Sequence, residues 1–476
     1  MSYLLNVLYL TLLFAASPWL LWQCWRKGKY REGFAEKLLG RVPMREGDGP
    51  CMWLHAVSVG EVNLLGPLIE ALRRDAPQLE FVISTTTMTG YALAKKTYAD
   101  HLVFYCPLDF SWAVRTAMRR IRPDVLVLAE LELWPNLIRA AKIHGAKVAV
   151  VNGRLSERSY RGYRRLRPLI GRLLRCIDLL AVQNACYAER FERLGASPGS
   201  LHVTGSLKFD GAETDRHNRA SERLRTWAGF RPGDVVFLAG STQEPEEALA
   251  LETFRLLRDE FPQLRLVLVP RHPDRFEAVA DLLRESGLPW RRRSTCATAG
   301  LSSSEFGTAG QASSGTRQTT PAILLVDTIG ELSAWWGTAS IAYVGGSMGR
   351  RGGQNMIEPA AYGAAVCFGP QTANFRDVVR ALLAAEAAVV VHDGRELTAF
   401  VRRMITAPAI ATEMGHRAQS LVQGQKGATQ TTAALLQQLL PQPTRKTRGS
   451  APAATPHSRP NTAAESAAAA PRSITP

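Results

Sequence analysis

CMWLHAVSVGE, residues 51–61, decides the fold. An apolar run from Cys51 passes through His55, Ala56, Val57 and Ser58 into Gly60 and Glu61, where a helical pattern opens. A continuous apolar strand feeding straight into a helix is the unit of a parallel sheet covered on both faces. Glycine at such a turn lets backbone approach a ligand closely, and the free amides of a helix start favour anions. Glu61 stands at the strand's carboxyl end, where a carboxylate can take a proton from an alcohol. The plainer reading is a glutamate complementing the helix dipole in its first turn. At a helix start its pKa is expected below the ordinary value.

The same unit repeats along the chain. Apolar runs near 52–58, 81–86, 102–106, 125–129, 148–151 and 179–183 predict strands, with helical stretches such as 133–144 between them. A second series follows near 235–240, 265–269, 323–326, 341–344, 366–368 and 389–391. Two series predict an α/β protein of two doubly wound, Rossmann-like domains, with ligands at the strands' carboxyl ends in the cleft between them. The expected organisation is a membrane anchor at 1–25, an N-terminal domain at 26–220 and a C-terminal domain at 221–440, joined around 212–227. Residues 291–320, rich in Ser, Thr, Gly and Ala, read as an insertion. Residues 441–476, with Ile474 as the one large apolar side chain, bury too little to offset chain entropy and read as disordered.

At 476 residues, with 46% hydrophobic and 21% charged side chains, the chain has ample core, which excludes wholesale disorder and a small disulfide scaffold. The net charge of +16 favours anionic neighbours. Seven scattered cysteines without a Cys-x-x-Cys pair exclude a zinc knuckle and fit a reducing compartment. Residues 2–23 carry no charged side chain, and Arg26, Lys27, Lys29 and Arg31 follow at once. About 20 apolar residues span a ~30 Å hydrocarbon core, so a single-pass anchor with everything after Trp25 cytoplasmic is expected. An interfacial helix and a signal peptide are the competing readings. Between Arg158 and Arg175, seven arginines and no acidic residue are interleaved with Tyr160, Tyr163, Leu166, Leu169 and Leu173. A solvated helix face is the default; beside an anchor, contact with anionic headgroups fits better. No nucleic-acid motif accompanies the charge.

Other strand ends carry candidate chemistry. Glu130 and Glu132 lie two apart in ELELWPN, so one can face the cleft while the other caps the next helix. Gly205-Ser-Leu-Lys208 and Gly240-Ser-Thr-Gln243 are small-residue loops able to cradle an oxyanion, or ordinary turns. Arg271 follows a strand and can bind phosphate or carboxylate bidentately. Gly345-Gly346-Ser347 and Gly352-Gly353-Gln354-Asn355, leading to Glu358, suit a nucleotide: amides for phosphate, the carboxylate for ribose. Gly-x-Gly-x-x-Gly, the Walker loop, His-Glu-x-x-His and an Asp-x-Asp metal pair are all missing, so no cofactor or metal is expected.

Together HAVSVGE at 55–61, ELELWPNLI at 130–138, NGRLSERS at 152–159, GSLKFD at 205–210, VPRHPDRF at 269–276 and the 343–376 block resemble the 3-deoxy-D-manno-octulosonic acid (Kdo) transferases of lipopolysaccharide biosynthesis. The resemblance implies a GT-B glycosyltransferase moving Kdo from CMP-Kdo to a lipid A precursor at the inner membrane, without metal. It implies Glu61 as proton acceptor and Glu130 and Lys208 as transition-state stabilisers. It places CMP on Pro270 and Arg271, on Ile329, Gly330 and Glu331, and on Asn355, Met356, Ile357 and Glu358. Two departures stand out: the family's usual GSTHEGEE has Gln243 here, and its GGHNPLE has Gln354. The alternatives are another GT-B enzyme of nucleotide sugars, a UDP-sugar transferase or epimerase, and a non-catalytic protein binding anionic lipid.

Overall fold

The computed structural model describes residues 2–27, 32–297 and 322–441. The tail from 442 and most of the 291–320 insertion therefore lie outside the described residues.

The first sheet contains β1 (Cys51–His55), β2 (Glu80–Thr85), β3 (Leu102–Tyr105), β4 (Val125–Ala129), β5 (Lys147–Gly153), β6 (Leu179–Val182) and β7 (Leu201–Val203). They are ordered β3-β2-β1-β4-β5-β6-β7, and the pairs are parallel. The second contains β8 (Val235–Thr242), β9 (Leu264–Pro270), β10 (Trp290–Arg292), β11 (Ile323–Leu325), β12 (Ile341–Val344), β13 (Ala365–Phe368) and β14 (Ala388–Val390). Its parallel order is β10-β11-β9-β8-β12-β13-β14. The two doubly wound sheets expected from the sequence are present. β7 and β10 were not anticipated, because three-residue edge strands such as Trp290-Arg-Arg show no apolar run.

Alternation explains why β1 is apolar throughout. Cys51 and Trp53 pack into the core on one face of the sheet, Met52 and Leu54 into the core on the other. A Leu54→Ala change would lose burial and leave a hole, costing about 2–5 kcal/mol. The second sheet is likewise sandwiched between two cores. The chain then returns to the first sheet: helix Ala428–Gln437 sets Ala428, Ala433 and Leu436 against Val62, Leu65 and Leu68. Asp210 fixes this return by accepting from the amides of Gly427 at 2.6 Å and Thr429 at 2.5 Å, capping that helix.

The N-terminal segment is one helix, Ser2–Lys27, with Pro18 inside it. Among the described residues no helix is long and apolar enough to cross a membrane, so the expected spanning anchor at 1–25 is not supported. Its polar residues are used instead on the globular part. Asn6 Nδ2 donates to Ser111 Oγ at 2.7 Å and Asn6 Oδ1 accepts from the Ser111 amide at 3.0 Å. Tyr9 donates to Asp109 at 3.1 Å. Leu4, Val7, Leu8, Phe14, Trp19 and Trp25 remain exposed.

In a doubly wound sheet the loops diverge where the strand order reverses, leaving a crevice at the carboxyl ends. In the first sheet this point lies between β1 and β4, and in the second between β8 and β12. The strand ends, loops and helix starts at these four points cover 55–61, 130–134, 241–246 and 345–358, and most of the candidates read from the sequence lie there.

Candidate active site

Glu61 sits in the first turn of helix Val59–Asp75, whose N-cap is Ser58. Ser58-Val-Gly-Glu61 is a capping box: the Ser58 hydroxyl faces the Glu61 amide at 3.4 Å, and the glutamate reaches back. Its Oε1 accepts from Ser58 Oγ at 2.7 Å and its Oε2 from the Val57 amide at 2.8 Å. The plain capping reading is thus real, yet each carboxylate oxygen keeps acceptor capacity beyond one bond. Glu61 is only 9% exposed. Burial raises its pKa, the bonds from Ser58 and Val57 oppose the rise, and the charge of Glu130 adds to it. The depressed value expected from the helix start is therefore overturned: desolvation outweighs the hydrogen bonds from Ser58 and Val57, which makes the carboxylate a stronger base.

Glu130 follows β4 in a left-handed conformation, φ 55°, its amide bonded to Val151 O at 2.9 Å. This turn brings its Oε1 to 3.0 Å from Lys208 Nζ. Glu132 points elsewhere and accepts from Trp134 Nε1 at 2.9 Å. Burial raises its pKa, and Glu61 and Glu130 push the same way, so the three carboxylates share one electrostatic environment. Trp134 meets the His55 ring edge-on at 6.3 Å. His55 is fully buried with Nδ1 2.9 Å from Ser84 Oγ, and burial lowers its pKa to about 4, so it is a neutral packed residue.

Lys208 reaches this point because of a residue to which the sequence motifs assign no role. Asn152, at φ 56° near the end of β5, accepts from the Ser206 hydroxyl at 3.3 Å and the Leu207 amide at 3.2 Å. These bonds hold the 205–210 loop over the carboxyl edge of the sheet. The left-handed Asn in NGRL was the available signal, since Asn tolerates that conformation better than most residues.

On the second sheet Glu246 is the organising group. Buried at the start of helix Glu246–Leu257, it accepts from the amides of Gln243, Gly346, Ser347 and Met348 at 2.7–2.9 Å and from Tyr343 Oη at 2.9 Å. The amides of Gly346 and Ser347, which the sequence offered to a phosphate, are thus already held by an internal anion. Gly345 has no room for a side chain, since a Cβ would stand 2.6 Å from Ser241 O. The two departures from the family pattern converge here. A Cβ on Gly346 would lie 3.1 Å from Gln354 Nε2 and 3.6 Å from Gln243 Nε2.

Arg271 leaves β9 with its amide on Thr242 O at 3.0 Å, and its side chain is exposed. Glu358 accepts from Asn355 Nδ2 at 2.9 Å. Its pKa is raised by burial and held back by Asn355 and by the Arg271 charge, so these three residues are gathered. Met356 and Ile357 are buried in the core beneath them. Ile329 is 81% exposed, Gly330 is left-handed at φ 92°, and Glu331 is clasped by Arg293 at 2.8 and 3.0 Å and by Thr328 at 2.5 Å. Among the described residues no group of three or more His, Cys, Asp or Glu is placed to hold a metal ion.

Two parallel α/β lobes, with Glu61, Glu130 and Lys208 at the carboxyl edge of the first sheet and Arg271 and Glu358 at that of the second, form an architecture of the GT-B type. The family model described as 3-deoxy-D-manno-octulosonic-acid transferase (kdotransferase) matches residues 29–211. The 3-deoxy-D-manno-octulosonic acid transferase of Bordetella pertussis is 34% identical over 437 residues, 88% of this chain and 96% of that protein. That of Haemophilus influenzae is 31% identical, covering 87% of this chain and 92% of that protein. The chain belongs to the 3-deoxy-D-manno-octulosonic acid transferase family, a family of glycosyltransferases. Its fold is shared with the UDP-GlcNAc 2-epimerase of Neisseria meningitidis bound to UDP-GlcNAc, at TM-score 0.54 and 12% identity over 82% of this chain and all of that one. It is shared too with a glycosyltransferase of Rickettsia africae, at TM-score 0.51 and 10% identity over 83% and 99%.

Proposed function

We propose that this protein transfers Kdo from CMP-Kdo to a hydroxyl of a lipid A precursor, releasing CMP and inverting the anomeric centre. The observation that carries the reading is the grouping of Glu61 with the Glu130–Lys208 pair at the first switch point, in a chain of this family. Glu61 accepts the acceptor hydroxyl's proton as that oxygen bonds to the ketose carbon. The bond from that carbon to the phosphate oxygen breaks, and CMP leaves with the electron pair. Positive charge at the sugar is stabilised by the nearby carboxylates, while Lys208 holds the Glu130 side chain in place. Arg271 and the Asn355–Glu358 pair take the nucleotide, which assigns the acceptor to the first lobe and the donor to the second.

The exposed apolar side chains of helix Ser2–Lys27 support a seat on the cytoplasmic face of the inner membrane. The exposed arginines Arg158, Arg161, Arg164 and Arg165 support contact with anionic lipid there, and Tyr163 beside them feels the charge of Glu132. The test is incubation of the protein and a tetraacylated lipid A precursor with CMP-Kdo or with UDP-sugars. CMP release and a lipid product heavier by one or more Kdo residues, from CMP-Kdo alone, are expected. Turnover of a UDP-sugar, or none at all, would overturn the reading.

A further inference from the structure

A cavity of about 220 Å³ lies where the lobes meet, walled by Arg154, Ser206 and Lys208 on one side and Asn374, Phe375 and Asp377 on the other. That is space for about seven waters at ~30 Å³ each. Its charged groups are engaged with one exception. Lys208 is paired with Glu130, and Asp377 accepts from Tyr187 Oη across the lobes. Arg154, partly buried, makes no side-chain hydrogen bond or ion pair among the described residues. The carboxylate that shares the cavity with it is Asp377, which is held by Tyr187, and Glu157, three residues along the chain, is taken by Arg161 at 3.2 Å and Arg190 at 3.0 Å. The turn itself is fixed, because Leu155 is fully buried and its carbonyl accepts from Arg190 at 2.7 Å. The guanidinium thus stands at the cavity wall, close enough to Tyr187 for its charge to be felt there, without a hydrogen-bonded or ion-paired partner among the described residues.

We propose that Arg154 binds the carboxylate of the sugar acid that is transferred. The inference rests on the transfer reaction proposed above. In such a donor the carboxylate is attached to the carbon under attack, so it must enter the same small region as Glu61, Glu130 and Glu132. Those three groups repel it, and Lys208 is already neutralised by Glu130. A planar guanidinium matches a carboxylate through two parallel hydrogen bonds, which also fixes the orientation of the sugar. A phosphate of the glycolipid acceptor carries the same charge and is the other source of anion for this cavity.

Comparison of Arg154→Ala and Arg154→Lys with the intact protein separates these sources. Dissociation constants for CMP and CMP-Kdo are measured without acceptor, and KM values for both substrates with it, on variants whose thermal melting matches the parent. Arg154→Ala should weaken CMP-Kdo roughly 10- to 100-fold, the range of a charge-assisted hydrogen bond. CMP binding and the lipid KM should stay unchanged, and Arg154→Lys should recover part of the loss. Equal weakening of CMP and CMP-Kdo, a rise confined to the lipid KM, or no change in any constant would each overturn the assignment. Failure of the parent protein to release CMP from CMP-Kdo overturns the transfer reaction instead.

Discussion

Lys208 Nζ lies 3.0 Å from Glu130 Oε1, although 78 residues separate them in the chain. Both side chains are about one-quarter exposed, so the pair adds only ~1 kcal/mol or less to stability. Its effect on catalysis is expected to be far larger. Lys208→Ala should lower kcat by about 100-fold or more, the scale seen when one preorganised electrostatic group is removed. Asn152→Ala, at a buried position beneath the loop, should also lower kcat by freeing the 206–207 backbone. Equal kcat in Asn152→Ala and the parent would show that the loop needs no such hold.

The acid limb of the rate profile should report Glu61. A proton acceptor works only when ionised, and burial raises its pKa, so activity should fall at a pH above the ordinary carboxylate value of ~4.3. Two variants should move the limb in opposite directions. Ser58→Ala removes a bond that favours the charged form and shifts the limb to higher pH, with a capping loss of ~1 kcal/mol. Glu130→Gln removes a repelling charge and shifts it to lower pH, on a reduced rate. Glu61→Gln should abolish transfer with the fold intact. Limbs that stay in place in both of the other variants would assign the titration elsewhere.

Much of this was legible in the sequence because parallel strands buried on both faces are written as unbroken apolar runs, as in Cys51–Leu54 and Val125–Ala129. The ends of such runs drew attention to Glu61, Glu130 and Arg271 as candidates, and the glycine pairs at 345–346 and 352–353 to Glu358. Three things were not legible. The direction of the Glu61 pKa depends on how deeply helix Val59–Asp75 packs, which local spacing does not encode. The Gly346-Ser347 amides read as open to phosphate because Glu246, about 100 residues earlier in the chain, supplies the anion they bind. The N-terminal segment read as a span because its apolar content was visible and the fastening of Asn6 and Tyr9 to Ser111 and Asp109 was not.

Glu246 should be the most sensitive position on the donor side. As a carboxylate it is acceptor-only, which suits the four amides and one hydroxyl around it. Glu246→Gln turns one oxygen into a donor facing buried donors, and each one left unsatisfied costs about 1–3 kcal/mol. The variant should melt at lower temperature and bind CMP-Kdo more weakly, while Glu252→Gln, on the exposed side of the same helix, should do neither. An unchanged donor affinity would mean that the 345–348 loop is not shaped by this carboxylate.

Asp109 links the N-terminal helix to the helix after the Glu130 loop, accepting from Tyr9 Oη and from the amides of Asn136 at 3.0 Å and Leu137 at 2.8 Å. Burial raises its pKa to about 6, against the pull of those three bonds. The unfolded value is ~3.9, so the folded state holds the proton more tightly between the two. The stabilising contribution is complete below the unfolded value and is lost as pH rises through about 6; at ~1.4 kcal/mol per unit the change is about 3 kcal/mol. An amide in place of this carboxyl has no proton to lose. Urea unfolding at pH 4 and pH 7.5 should therefore show Asp109→Asn gaining on the parent as pH rises, in the window set by burial rather than at the ordinary aspartate value. Tyr9→Phe, which removes one of the bonds favouring the charged form, should move that window upward and loosen the N-terminal helix. A difference between Asp109→Asn and the parent that is the same at both pH values would mean that the carboxylate is an ordinary helix cap with no link to the proton.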